Sequence, residues 1–128
     1  MRKDIQDWIT SSDYDYETGE DMFKSGRYSY AIFMCHQCIE KLLKALIMYL
    51  KGSIPSKSNN LKMLLEESGL SATDRIETIL MKLSPHYILS RYPDVAGGPP
   101  ETIYNLAIAQ EFMEETKEVR EWLKGKLI

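Results

Sequence analysis

The sequence predicts an all-α fold, an up-down antiparallel helical bundle with four long helices and one short one. Two observations lead to this prediction. Apolar residues recur at spacings of three and four in nearly every segment, and no segment sustains the alternation of apolar and polar residues that marks a strand. The chain has 128 residues, a length typical of one domain. We therefore expect residues 1–128 to form a single domain.

The first two predicted helices are the longest. The first runs over residues 3–24, and Ser12 and Gly19 on its apolar stripe predict that another helix approaches closely. It ends near Gly26, because glycine readily takes the left-handed conformation that closes a helix. The second runs over residues 28–51. Its apolar positions cover most of its circumference, which predicts a central helix buried on several sides.

Two further helices follow a break of glycine and proline. A short third helix is predicted over residues 61–67, with Ser58 or Asn59 as its cap. A fourth is predicted over residues 72–92, capped by Ser71. Because proline cannot donate the helical hydrogen bond, we expect a kink or a break at Pro85.

The C-terminal part is predicted as a loop followed by a last helix. Residues 92–100 contain three prolines and two glycines, which favour a loop. Residues 101–124 again show helical spacing of apolar residues.

Composition restricts the function classes. Apolar residues make up 44% and charged residues 27%, as in ordinary globular proteins. The net charge of -3 gives no global basic field, so a nucleic-acid contact would need a local patch. No apolar run approaches the roughly 20 residues of a membrane span. The N-terminus has no apolar signal core, so we expect a cytoplasmic protein without membrane association.

The segment MCHQCIEKLLKAL, residues 34–46, brings together two cysteines, a histidine and several charged side chains, which are candidate functional residues. Cys35 and Cys38 form a CxxC pair in mid-helix, whereas reactive thiols usually lie at a helix N-terminus, where the dipole lowers their pKa. One pair of thiolates does not complete a tetrahedral zinc site. Cysteine is also among the most buried residue types. We expect both cysteines to be core residues, and we expect no metal and no cofactor.

A polar row follows the same helix. His36, Glu40 and Lys44 are spaced to share one face, and Gln37 and Lys41 lie in a parallel row beside it. This pattern is typical of a solvated face with favourable Glu–Lys spacing. It also fits a polar groove that faces a ligand or a partner.

The sequence Arg91-Tyr92-Pro93-Asp94 follows the fourth predicted helix. Arg91 favours the dipole at the C-terminal end of that helix. Alternatively, the planar fork of its guanidinium suits phosphate oxygens. Both interpretations remain open.

Four sequence segments together resemble HEPN domains. They are GRYSYA at 26–31, HQCIEKLLKAL at 36–46, SNNL at 58–61 and RYPD at 91–94. The resemblance implies an up-down helical bundle that commonly dimerises. It also implies a small stand-alone prokaryotic protein, often encoded beside a minimal nucleotidyltransferase in a toxin–antitoxin-like pair.

Many HEPN proteins are ribonucleases, and this chain departs from their pattern. They use an Arg followed about four to six residues later by a His, the natural general acid or base near neutral pH. Here Arg27 precedes His36 by too many residues, and no His follows Arg91. Asn59 stands where many relatives carry His. The sequence therefore favours a protein that is not an enzyme.

The leading hypothesis is a non-catalytic HEPN-type homodimer that binds a nucleotide, an RNA phosphate or a minimal nucleotidyltransferase. The candidate phosphate contacts are cations, namely Arg27, Lys41, Lys44 and Arg91. The candidate groove residues are polar, namely His36, Gln37, Glu40 and Asp94. One alternative is an endoribonuclease toxin with a degenerate active site, using His36 and Arg91. Another is a purely structural dimerisation module.

Overall fold

The computed structural model describes residues 1–127, and within this range the regular structure is entirely helical. The α-helices are α1 (Lys3–Lys24), α2 (Tyr28–Lys51), α3 (Leu61–Ser68), α4 (Asp74–Leu83), α5 (His86–Leu89), α6 (Pro93–Ala96) and α7 (Leu106–Lys124). A 3-10 turn spans Pro100–Thr102. The predicted all-α bundle is confirmed.

Helices α1 and α2 form a tightly packed hairpin. A Cβ atom added at Gly19 would lie 3.1 Å from the Cβ of Met34, which is tighter than ordinary van der Waals contact, so glycine favours this close approach. The Ser12 hydroxyl donates a hydrogen bond of 2.6 Å to the carbonyl of Cys38. The close approach predicted from these two small residues is therefore confirmed.

Helix α2 is the centre of the fold. It contacts α1, α3, α5 and α7. Most of its apolar side chains are fully buried, including Ile32, Ile39, Leu42, Leu43, Leu46 and Ile47. The prediction of a central helix buried on several sides is confirmed.

Two predicted caps are wrong by one or two residues. Asn60, rather than Ser58 or Asn59, caps α3, because its side chain accepts from the backbone N–H of Met63 at 3.1 Å. Thr73, rather than Ser71, caps α4 in the same way. In both cases the observed cap has the extended backbone that turns its side-chain oxygen towards the first turn of the helix.

The predicted break at Pro85 is confirmed. Helix α4 ends two residues before it and α5 begins directly after it, so the fourth helix consists of two pieces. The predicted loop over residues 92–100 contains the short helix α6. The last helix begins later than predicted, because Asn105 caps it by accepting from the N–H of Ile108 at 2.9 Å. Among residues 1–127, no helix is long and apolar enough to cross a membrane.

Candidate functional site

Arg91 is held by aromatic rings just beyond α5. Its guanidinium carbon lies 4.5 Å from the ring centres of Phe33 and Tyr87 and 4.8 Å from that of Tyr92. Its Nε donates a hydrogen bond of 2.9 Å to the carbonyl of Tyr87. The two terminal amino groups have no acceptor among the described residues. A cation held over rings in this way is pre-organised, and its two terminal amino groups remain available as donors.

His36 lies beside this aromatic cluster and is fully buried. Its ring centre is 5.2 Å from that of Tyr87. The carbonyl of Asn59 lies 3.1 Å from Nε2 of His36. Because a carbonyl only accepts, Nε2 carries the proton, and Nδ1 of the neutral ring faces Oε1 of Glu40 at 3.6 Å. Neither Nδ1 of His36 nor Oε1 of Glu40 has a hydrogen-bond partner in the described part of the chain.

Burial sets the protonation state of His36. It disfavours the charged ring and lowers the pKa of His36 from 6.5 to about 4. The nearby positive charges of Arg91 and Lys44 act in the same direction. The hydrogen bond to Asn59 opposes this shift in pKa but does not outweigh burial. His36 is therefore neutral at physiological pH.

The neutral His36 should make stability depend on pH. The folded-state pKa of His36 lies below its unfolded value, so the unfolded chain binds more protons between pH 4 and 6.5. The neutral His36 therefore contributes on the order of 3 kcal/mol to the free energy of unfolding. This contribution is fully present above pH 6.5 and is lost as the pH falls towards 4. Urea denaturation at stepped pH measures it, with His36→Phe as the control. NMR titration of His36 near or above neutral pH would contradict the assignment.

Glu40 and Lys44 continue the buried row along α2. The Lys44 ammonium lies 3.1 Å from Oε2 of Glu40, and the side chains are 10% and 14% exposed for Lys44 and Glu40 respectively. His36, Glu40 and Lys44 are thus brought together as predicted. The row is not a solvated face.

Lys41 points elsewhere, although it is only three residues from Lys44. Its ammonium forms an ion pair with Asp15 at 2.8 Å and donates to the hydroxyl of Ser11 at 2.7 Å, both on α1. Its position therefore favours a role in the α1–α2 contact.

The remaining candidates are spread over the surface. Arg27 is exposed at the start of α2, Asp94 is exposed in α6, and Gln37 is half-buried. Among residues 1–127, no hydrogen bond or ion pair joins these three side chains to another side chain.

The aromatic rings around Arg91 are the part of the site that sequence reasoning missed. Tyr87 lies four residues before Arg91, a spacing that places two side chains on one helix face, so this contact had a signal. Phe33 lies on α2, distant in sequence from Arg91, and no sequence signal indicated that its ring contacts Arg91.

The second histidine, His86, pairs with the hydroxyl of Tyr104 at 2.7 Å.

The cysteines are core residues, as predicted. Both are buried and free. The Cys35 sulfur lies 3.4 Å from that of Met113, and the Cys38 thiol donates to the carbonyl of Cys35. Burial raises the pKa of Cys35 to about 12 and that of Cys38 well above its usual value. Thiols with such pKa values are not reactive nucleophiles.

In the described range, no three His, Cys, Asp or Glu side chains are grouped to hold a metal.

The fold and the site define a small helical-bundle domain with a stacked arginine beside a neutral, buried histidine. Comparison with known proteins gives its family. The HEPN domain model matches residues 5–126, and the chain belongs to the HEPN domain family. No curated protein matches it.

Two solved structures are similar over essentially the whole chain. The crystal structure of TT1696 from Thermus thermophilus has a TM-score of 0.90 and 22% identity, and it covers 98% of this chain and 100% of its own. The structure of ST0689, an archaeal HEPN homologue, has a TM-score of 0.81 and 29% identity and covers 100% of both chains. At 22% identity, the first likeness concerns the fold alone.

Proposed function

We propose that the protein is a non-catalytic HEPN domain that binds the phosphate of a nucleotide or an RNA through Arg91. One observation carries this proposal. Arg91 is fixed over three rings, yet its terminal amino groups have no acceptor in the described chain. Two parallel N–H donors of this kind match phosphate oxygens. Tyr92, with 46% of its surface exposed, offers a ring on which a base can stack.

The state of the histidines supports binding over cleavage. Metal-free RNA cleavage needs a general acid or base with a pKa near neutral. Burial lowers the pKa of His36 to about 4, and burial also lowers that of His86. We expect the purified protein to leave total RNA intact at micromolar concentration. Cleavage that is lost on His36→Ala would instead favour the degenerate ribonuclease.

The family resemblance supports the wider setting of this proposal. We place the protein in the prokaryotic cytoplasm as a homodimer, in a toxin–antitoxin-like pair with a minimal nucleotidyltransferase. A purely structural dimerisation role would leave the open amino groups of Arg91 without a purpose.

Replacing Arg91 tests the binding site. We expect Arg91→Ala to weaken the binding of adenosine 5′-triphosphate or a short single-stranded RNA by about tenfold or more, because a charge-assisted double contact is lost. Arg91→Lys keeps the charge but loses the fork, and it should give an intermediate affinity. Titration calorimetry measures both.

Lys117→Ala is the matched control. Lys117 is an exposed cation on α7, and its removal should leave the affinity unchanged. Circular dichroism reports whether Arg91→Ala keeps the native helix content. If the unaltered protein binds neither the nucleotide nor the RNA, the proposal is overturned.

A further inference from the structure

A cleft lies at the opposite end of α2 from the Arg91 site. It has a volume of about 360 Å³ and lies between the start of α1, the C-terminal part of α2 and residues 52–57. Its walls include Arg2, Asp4, Trp8, Lys44, Met48 and Lys57. Arg91 touches Phe33, which precedes Lys44 by 11 residues, or roughly 16 Å along the helix axis. The cleft therefore shares no residue with the Arg91 site, and its volume suits a small molecule.

Lys44 forms the charged wall of this cleft. Its side chain is only 10% exposed, and an ammonium has three N–H donors. One donor is taken by Oε2 of Glu40, and the described residues supply no other acceptor. Because Lys44 lines the cleft, the remaining N–H groups are available to an acceptor that binds there. An anion is the best acceptor for them.

The charges around the cleft also favour an anion. Three cations line it, Arg2, Lys44 and Lys57, against the single carboxylate of Asp4. Asp4 is already engaged by Arg2, at 3.0 Å. Lys57 is exposed and has no ion-pair partner among residues 1–127. Glu40 lies behind Lys44, and the carboxylate of Glu67 accepts from the lining residue Ser56, so Lys57 supplies the positive charge of the cleft that has no counter-charge in the described chain.

Trp8 supplies an aromatic side chain to the lining of the cleft. The indole is half-buried, and its N–H has no acceptor within the described range. It also lines an adjoining cleft of about 380 Å³ on the side of Ser11 and Lys41. A half-buried indole beside a positive wall suits a flat ring that carries negative charge, because ring stacking and charge pairing can then act together.

We propose that this cleft binds a small aromatic anion, with its ring against Trp8 and its carboxylate or phosphate on Lys44 and Lys57. A ring bearing a phosphate and a ring bearing a carboxylate share this chemistry. The two can be separated by experiment.

Trp8 supplies the readout. The chain has two tryptophans, so Trp122→Phe leaves Trp8 as the single reporter. This protein is titrated with adenosine 5′-monophosphate, benzoate, adenosine and inorganic phosphate, and fluorescence is excited at the red edge of the indole band. We expect saturable quenching by adenosine 5′-monophosphate if the anion is a phosphate, or by benzoate if it is a carboxylate. Adenosine has the ring without the phosphate, and inorganic phosphate has the anion without the ring. Each should bind more weakly than adenosine 5′-monophosphate by about tenfold or more.

Two variants in the Trp122→Phe background test the cationic wall. Lys57→Ala removes an exposed cation and should weaken binding severalfold without altering the fold. Lys44→Met combined with Glu40→Gln removes the buried ammonium and its counter-charge together, and it should weaken binding by about tenfold or more. Lys117→Ala is again the control. The proposal is overturned if neither ring-bearing anion quenches saturably at millimolar concentration, or if both wall variants bind like the parent.

Discussion

Replacing Leu46 by alanine is expected to lower the free energy of unfolding by about 2–5 kcal/mol. Leu46 is fully buried in α2, and that helix is packed against α1, α3, α5 and α7. With neighbours on all sides, the chain has little freedom to close the cavity that the shortened side chain leaves. Since small domains are stable by about 5–15 kcal/mol, the loss is a large part of the total. Urea denaturation followed by circular dichroism measures it.

Leu50 provides the matched control on the same helix. It lies one turn after Leu46 and is 41% exposed. Leu50→Ala makes the same chemical change and should alter stability by less than about 0.5 kcal/mol. Equal losses in both variants would show that α2 is not the packed centre of the fold.

Periodicity predicted the helices better than their ends. The stripe of apolar residues depends only on residues near in sequence, so α1 and α2 emerged with their observed bounds. The start of α3 depends on which of three neighbouring polar residues adopts an extended backbone. Ser58, Asn59 and Asn60 can all cap a helix, and packing of the preceding loop decides among them.

The candidate site shows the same limit. Spacing alone placed His36, Glu40 and Lys44 on one face, and they do lie in one row. What covers that face is set by residues distant in sequence, such as Asn59, whose carbonyl meets His36. The row is therefore buried rather than solvated. Lys41 was an equally good candidate phosphate contact by residue type, but in the fold its ammonium forms an ion pair with Asp15 on α1.

Replacing Glu40 by alanine is expected to destabilise the protein by about 3–5 kcal/mol, because the Lys44 ammonium would remain buried without a counter-charge. The two side chains are 14% and 10% exposed, so solvent screens their interaction little. Urea denaturation measures the loss. Glu66→Ala is the control on α3, where Glu66 is 65% exposed in its pair with Lys62, and it should cost less than about 1 kcal/mol.

The double variant Glu40→Ala with Lys44→Met separates a buried pair from a dimer contact. If the loss comes from the unpaired ammonium, removing that charge as well should restore most of the stability, since an uncharged buried chain of similar length has no charge to desolvate. If Glu40 instead serves dimerisation, Glu40→Ala should shift sedimentation towards monomer, and Lys44→Met should not reverse that shift. Recovery of stability with unchanged sedimentation assigns Glu40 to the interior of one chain. Glu40 would then stabilise the fold by neutralising Lys44, while Arg91 and the Trp8 cleft would remain for ligands.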